Sequence, residues 1–206
     1  MKNFSPAAAK FQVFFNFRGE ELRDNFVSHL CDAFERHEIK FFMDEDEQRG
    51  KDLKHLFVRI EESSIALAIF SNRYPESRWC LDELVKMKKL AEKRKIQVIP
   101  IFYKVEPQDV RGQEGEFGGN FWKLAKASRG YQIKKWKDAL EYFSDKMGLS
   151  LGGKSSEADF VKKIVKEVQR VIKATGVEKA KTPFGGKRRM VGNCNCPDIK
   201  RVKTKK

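Results

Sequence analysis

Long apolar runs are missing from this sequence. The longest spans about six residues, Ile65 to Phe70, against roughly 20 for a bilayer-crossing helix, so no transmembrane segment is expected. The first ten residues lack a long apolar core, which argues against a secretory signal. Lys2 rules out N-myristoylation. Cysteine is scarce: Cys31, Cys80, Cys194 and Cys196 make no disulfide framework, and a reducing, intracellular setting fits them best. Cys194 and Cys196 lack a second Cys or His pair, so no zinc site is expected. No Gly-x-x-x-x-Gly-Lys-Ser/Thr run occurs, which excludes a P-loop.

Positive charge is plentiful and unevenly placed. The 206 residues carry a formal net charge of +14. Residues 177–206 hold seven Lys and three Arg against Glu178 and Asp198, and so contribute +8 of it. These residues are also rich in Gly and poor in periodicity, and they read as a disordered tail. The whole chain is 40% hydrophobic and 35% charged, soluble and globular in character, and long enough for one domain plus the tail.

Along the chain, short apolar or aromatic runs alternate with amphipathic ones. Residues 11–17, 39–43, 65–70 and 96–102 read as strands, with 148–152 as a very short fifth. Pro100 removes a ladder donor and points to an edge or bulged position. Helical spacing covers residues 22–37, 53–60, 77–94, 121–127 and 133–147, and a final helix runs from Phe160 to about Gly176. Tyr103 to Gly119 reads as a long polar loop with four glycines, functional or mobile. The alternation implies βαβ units: a flavodoxin-like parallel sheet of four to five strands with helices on both faces. The expected bounds are a short extension at 1–10, a domain at 11–175 and a basic tail at 176–206.

One stretch gathers polar groups where open α/β sheets bind ligands, at a strand's carboxyl end. It is Phe70 to Leu84, a proline-bearing turn followed by a helix that Ser77 would cap. Trp79 and Glu83 lie four residues apart and share a face, placed here away from the Leu81, Leu84 and Val85 stripe. From periodicity alone, Glu83 is a solvated glutamate favoured by the helix dipole or a working carboxylate. Arg18 would meet a phosphate or pair with Glu20 or Glu21. Trp79 would stack on a ring or pack on the preceding loop. Cys80 suits a small packed residue.

Six blocks, in register over residues 10–174, resemble plant TIR (Toll/interleukin-1 receptor) domains. Phe11 to Glu21 resembles the opening motif, and Arg49-Gly50 sits where that family has its BB-loop Arg-Gly. Ile60 to Ser63 is similar to the end of the second helix, and residues 70–84 to the third motif. Val98 to Tyr103, with Pro107 and Val110-Arg111, resembles the fourth; Trp136 with Ala139-Leu140 fits a further pattern. Asn16 stands in place of the usual serine, Glu21-Leu22 in place of Asp-Thr, and Glu47 where leucine is common.

The resemblance implies cleavage of NAD+ at the nicotinamide–ribose bond in plant immunity, by a self-associating protein. It assigns the catalytic glutamate to Glu83. It places Phe17, Arg18, Gly19, Arg49, Gly50, Ser71 and Trp79 at the nucleotide, and Ser28 and His29 at a self-association face. NAD+, or NADP+, would be substrate; no cofactor and no metal are implied. Partners would be further copies, other TIR domains or TIR-containing immune receptors. Without nucleotide-switch or leucine-rich-repeat regions, a TIR-only or truncated TIR protein is expected. The implied location is cytoplasmic, with nuclear import open to the basic clusters Lys187-Arg188-Arg189 and Lys200–Lys206.

Two rival functions remain, and a third is set aside. A non-catalytic TIR–TIR adaptor would need Ser28 and His29 but not Glu83. Nucleic-acid binding would rest on the tail. A phosphoacceptor receiver needs an aspartate closing the third strand, where this chain has Phe70-Ser71.

Overall fold

The computed structural model describes residues 13–43, 53–152 and 156–174. Arg49, Gly50, Glu47, Cys194, Cys196 and the basic tail lie outside the described residues.

Among the described residues, five strands form one parallel sheet in the order β2-β1-β3-β4-β5. They are β1 (Val13–Asn16), β2 (Phe41–Phe42), β3 (Ile65–Phe70), β4 (Gln97–Tyr103) and β5 (Leu149–Leu151). The flavodoxin-like order expected from the alternation is the one observed. The helices are α1 (Gly19–Leu22), α2 (Ser28–Arg36), α3 (Leu53–Glu62), α4 (Arg78–Glu92), α5 (Pro107–Gly112), α6 (Gly115–Ala125), α7 (Gly130–Ser144) and α8 (Glu157–Ala174). A π-helical segment, Arg23–Val27, joins α1 to α2, and a 3₁₀ turn, Tyr74–Glu76, precedes α4. Among the described residues, no helix is long and apolar enough to cross a membrane.

The strands' period of two sorts the core into halves. Val13, Phe15, Ile65, Leu67, Ile69, Ile99 and Ile101 face one way, packed with Phe26, Leu30 and Phe34 and with Phe160, Ile164 and Val168 of α8. Phe14, Ala66, Ala68, Phe70, Val98 and Phe102 face the other, against α4, α6 and α7. By the same alternation Asn16, the last residue of β1, falls on the α4 side, and it is fully buried.

Two expectations change. Pro100 is not on an edge strand: β4 lies between β3 and β5, and Pro100 is in register with Ala68. It is tolerated because β5 pairs only from Ile101 onward. A Cβ on Gly148 would lie 2.7 Å from the Pro100 carbonyl oxygen. That oxygen, and with it the ring nitrogen of the same residue, faces the approach to β5 before pairing begins, so no ladder bond is lost.

The supposed loop from Tyr103 to Gly119 is largely helical. Pro107 occupies the first turn of α5, where its missing N–H costs nothing. Gln113 closes α5 in the left-handed region at φ 53°. Gly118 lies where a Cβ would sit 2.0 Å from the Gln113 carbonyl oxygen. It is a close-contact glycine inside a helix, not a loop residue.

Candidate functional site

The site is built where β1 ends beneath the first turns of α4. Ser77 caps α4, accepting the Cys80 backbone N–H at 3.3 Å. The buried stripe of α4 takes in Cys80, Leu81, Glu83, Leu84, Met87 and Leu90. Glu83 is therefore on the core-facing stripe, 7% exposed, and not on an outward face. The sequence pattern centres the stripe on Leu81, Leu84 and Val85. Counting Cys80 and Met87 as apolar shifts its phase by part of a turn and brings Glu83 inside.

A buried carboxylate needs partners, and the end of β1 supplies one. Asn16 Nδ2 donates to Glu83 Oε2 at 2.7 Å, and also to the Cys80 carbonyl at 3.2 Å. The Tyr74 hydroxyl lies 2.6 Å from Asn16 Oδ1 and 3.0 Å from the Cys80 carbonyl. It has a single proton, and the shorter contact marks its main acceptor. Burial raises the Tyr74 phenol well above its ordinary range; the nearby Cys80 and Glu83 add to this, and the Asn16 bond opposes it. The hydroxyl stays protonated and donating. The Cys80 thiol donates to the Phe17 carbonyl at 3.2 Å, tying α4 to the loop after β1.

The other residues singled out in the sequence fall around this centre. Phe17 is buried, with the Arg23 guanidinium 5.6 Å from its ring centre. Arg18 pairs with Glu20, and Arg73 reaches Glu20 at 3.6 Å and Glu76 at 2.9 Å. Gly19 begins α1 without a positive φ. A Cβ there would meet the movable Arg23 guanidinium at 2.9 Å, so the glycine leaves space and is not demanded by conformation. Ser71 is fully buried and donates its hydroxyl to the Glu21 carboxylate. Trp79 is half-buried, one turn before Glu83. Asp82 is committed elsewhere: it accepts from Trp136 Nε1 at 2.7 Å and from Gln132, pinning α7 to α4.

Ser28 and His29 stand apart from the carboxylate, at the start of α2. Ser28 donates to the Asn25 carbonyl at 2.7 Å, and His29 is exposed. His29 lines a groove of about 780 Å³ between α2 and α8, with Phe26, Ala33, Val161 and Val165 as its apolar floor. At its rim Glu157 accepts from Tyr103 at 2.8 Å and pairs with Lys104 at 2.7 Å. These bonds, the lysine's first, hold the Glu157 carboxyl below its usual range.

Sequence reasoning missed Asn16 and Tyr74 as parts of the site. Asn16 was visible only as a departure from a usual serine. A buried amide at the carboxyl end of a strand, on the α4 side by alternation, was the available signal.

The TIR domain family model matches residues 10–191. Disease resistance protein RBA1 of Arabidopsis thaliana is 61% identical over 161 residues, covering 78% of this chain and 44% of that protein. The TIR domains of the activated Roq1 resistosome, which directly recognises the pathogen effector XopQ, superpose with a TM-score of 0.69 at 36% identity. The match covers 77% of this chain and 99% of that one. The RPS4–RRS1 TIR domain heterodimer matches at 18% identity and a TM-score of 0.50, covering 78% and 96%, a likeness of fold. The chain spans less than half the length of the curated relatives it matches.

Proposed function

The chain belongs to the TIR domain family, and from that premise we propose that it is an NAD+ nucleosidase of plant immune signalling, active on self-association. The observation that carries the proposal is Glu83: a buried carboxylate, bonded by Asn16, at the carboxyl rim of the parallel sheet. Its neighbour Asp82, by contrast, is spent on pinning α7 to α4.

The reaction would break the bond between ribose C1′ and the pyridinium nitrogen. Its electron pair goes to nitrogen and releases neutral nicotinamide, so the leaving group needs no acid. Positive charge develops on the ribose, and the Glu83 carboxylate stabilises it more in the transition state than in the ground state. Water then adds at C1′ and loses a proton, giving ADP-ribose; capture by a group of the nucleotide itself would give a cyclic product. One such charged group is worth a factor of roughly 10² to 10³. Phe17, Arg18, Gly19 and Trp79 would bind the nucleotide at this rim.

Self-association draws support from the α2–α8 groove that holds His29, and from a 36%-identical fold found in an assembled resistosome. That groove also favours a second reading, a TIR–TIR adaptor without catalysis. Incubating NAD+ with the full chain over a range of concentrations separates the two. Nicotinamide release rising faster than linearly with protein supports the enzyme; association without release supports the adaptor.

A further inference from the structure

We propose that Asn16 is a positioning residue for Glu83, with Tyr74 fixing the amide in turn. The inference rests on the reading of Glu83 as the working carboxylate.

The amide has one chemically sensible orientation. On one side lie two acceptors, Glu83 Oε2 and the Cys80 carbonyl, at 2.7 and 3.2 Å from Nδ2. On the other lies the Tyr74 hydroxyl, 2.6 Å from Oδ1. Flipping the amide would set its oxygen against two acceptors. Both N–H groups and the carbonyl are thus used, and the side chain is fully buried. Such a group locks the carboxylate it touches. The Tyr74 ring is itself held edge-on to Phe70 of β3, with ring centres 5.0 Å apart. The chain of contacts therefore runs from the strands, through Tyr74 and Asn16, to the acid.

The substitutions this implies are unequal. A serine at position 16 has one hydroxyl proton and can serve Glu83 or the Cys80 carbonyl, not both. A leucine of similar size serves neither. An aspartate removes both donors and sets a second carboxyl within hydrogen-bond reach of Glu83, where the two must share a proton. Among the described residues, the titratable groups near Glu83 include the Tyr74 hydroxyl, from the 3₁₀ turn, and the Cys80 thiol, one turn earlier on α4. Arg18 lies in the loop whose Phe17 carbonyl accepts the hydrogen bond of the Cys80 thiol.

The test uses the full chain and three variants, Asn16→Ser, Asn16→Leu and Asn16→Asp. Two readouts are taken: nicotinamide release against pH, and the carboxyl titration of Glu83 by ¹³C NMR without substrate. We expect Asn16→Leu to lose about 10- to 100-fold in kcat with KM changed less than about threefold, in line with loss of a charge-assisted bond. Asn16→Ser should keep more of the rate. Asn16→Asp, which keeps the side chain's size, should move the acid limb of kcat and the Glu83 titration upward by about one pH unit or more. The proposal is overturned if Glu83 titrates as in the parent in both Asn16→Leu and Asn16→Asp, or in Asn16→Asp alone should Asn16→Leu not fold. Failure of the parent chain to release nicotinamide, with the titration shift present, would instead overturn the enzymatic reading.

Discussion

Asn16 and Glu83 are 67 residues apart in sequence, yet the amide of one is 2.7 Å from the carboxylate of the other. The bond joins the end of β1 to the second turn of α4, and it is the point where the fold and the proposed chemistry meet. An acid on the buried stripe of a helix is costly unless its partner is in place. The parallel arrangement of β1 beside β3, with α4 packed over them, puts the partner there.

Gly118 tests the packing of the segment that composition reads as a loop. Gly118→Ala would drive a methyl group to 2.0 Å from the Gln113 carbonyl oxygen, a backbone atom that cannot swing away. We expect a loss of more than about 2 kcal/mol in stability. At the neighbouring Gly119, a methyl group would meet nothing within 4 Å. Gly119→Ala should be neutral or gain up to about 1 kcal/mol from helix propensity. Thermal unfolding of the two variants side by side checks the contrast.

Much of the architecture was legible in the sequence because the pattern that encodes it is local. Short apolar runs and amphipathic helices gave the alternation, and the alternation pointed to a flavodoxin-like order. Glu83 was found through the motif around it. Its burial was not, because the apolar stripe of α4 phases correctly only when Cys80 and Met87 are counted in it. Asn16 could not be paired with Glu83 from spacing, since a contact across 67 residues depends on how helix and strand cross. The glycines of α6 misled for a related reason: Gly118 relieves a contact with the end of α5, which composition alone reads as a loop.

Asp82 separates structural from functional acid. Asp82→Ala leaves the buried Trp136 indole N–H without the acceptor it has at 2.7 Å. A cost of about 1–3 kcal/mol is expected, lowering Tm by roughly 2–4 °C per kcal/mol for a chain of this size. Asp82→Asn keeps an acceptor oxygen and should recover much of it. Nicotinamide release per folded molecule should survive both changes, measured at a temperature where each is folded.

The start of α8 carries a pH-dependent contribution. Lys104 and Tyr103 hold the Glu157 carboxyl below its usual range. A depressed folded-state value means the contribution is present above the unfolded carboxylate range, about pH 4.3, and fades as pH falls through the folded value. With Glu157 39% and Lys104 62% exposed, solvent screening limits the pair to well under about 1 kcal/mol. Glu157→Gln should be slightly less stable than the parent at pH 7 and equal to it near pH 2. Urea titrations at the two pH values read the difference.

The α2–α8 groove gives a separate handle on assembly. Ser28→Ala/His29→Ala should lower the average mass in sedimentation and reduce release most at low protein concentration. Glu83→Ala should leave the mass unchanged. A double variant that assembles like the parent would remove this face from the account.

If Glu83 does the chemistry, Glu83→Gln removes it with the least disturbance. The glutamine keeps size and an acceptor for Asn16 while removing the charge. The measurement is nicotinamide released from NAD+ by concentrated full chain and by the variant, each confirmed folded by circular dichroism. A loss of at least about 10²-fold is expected, with assembly intact. An unchanged rate in the folded variant would contradict that role for Glu83.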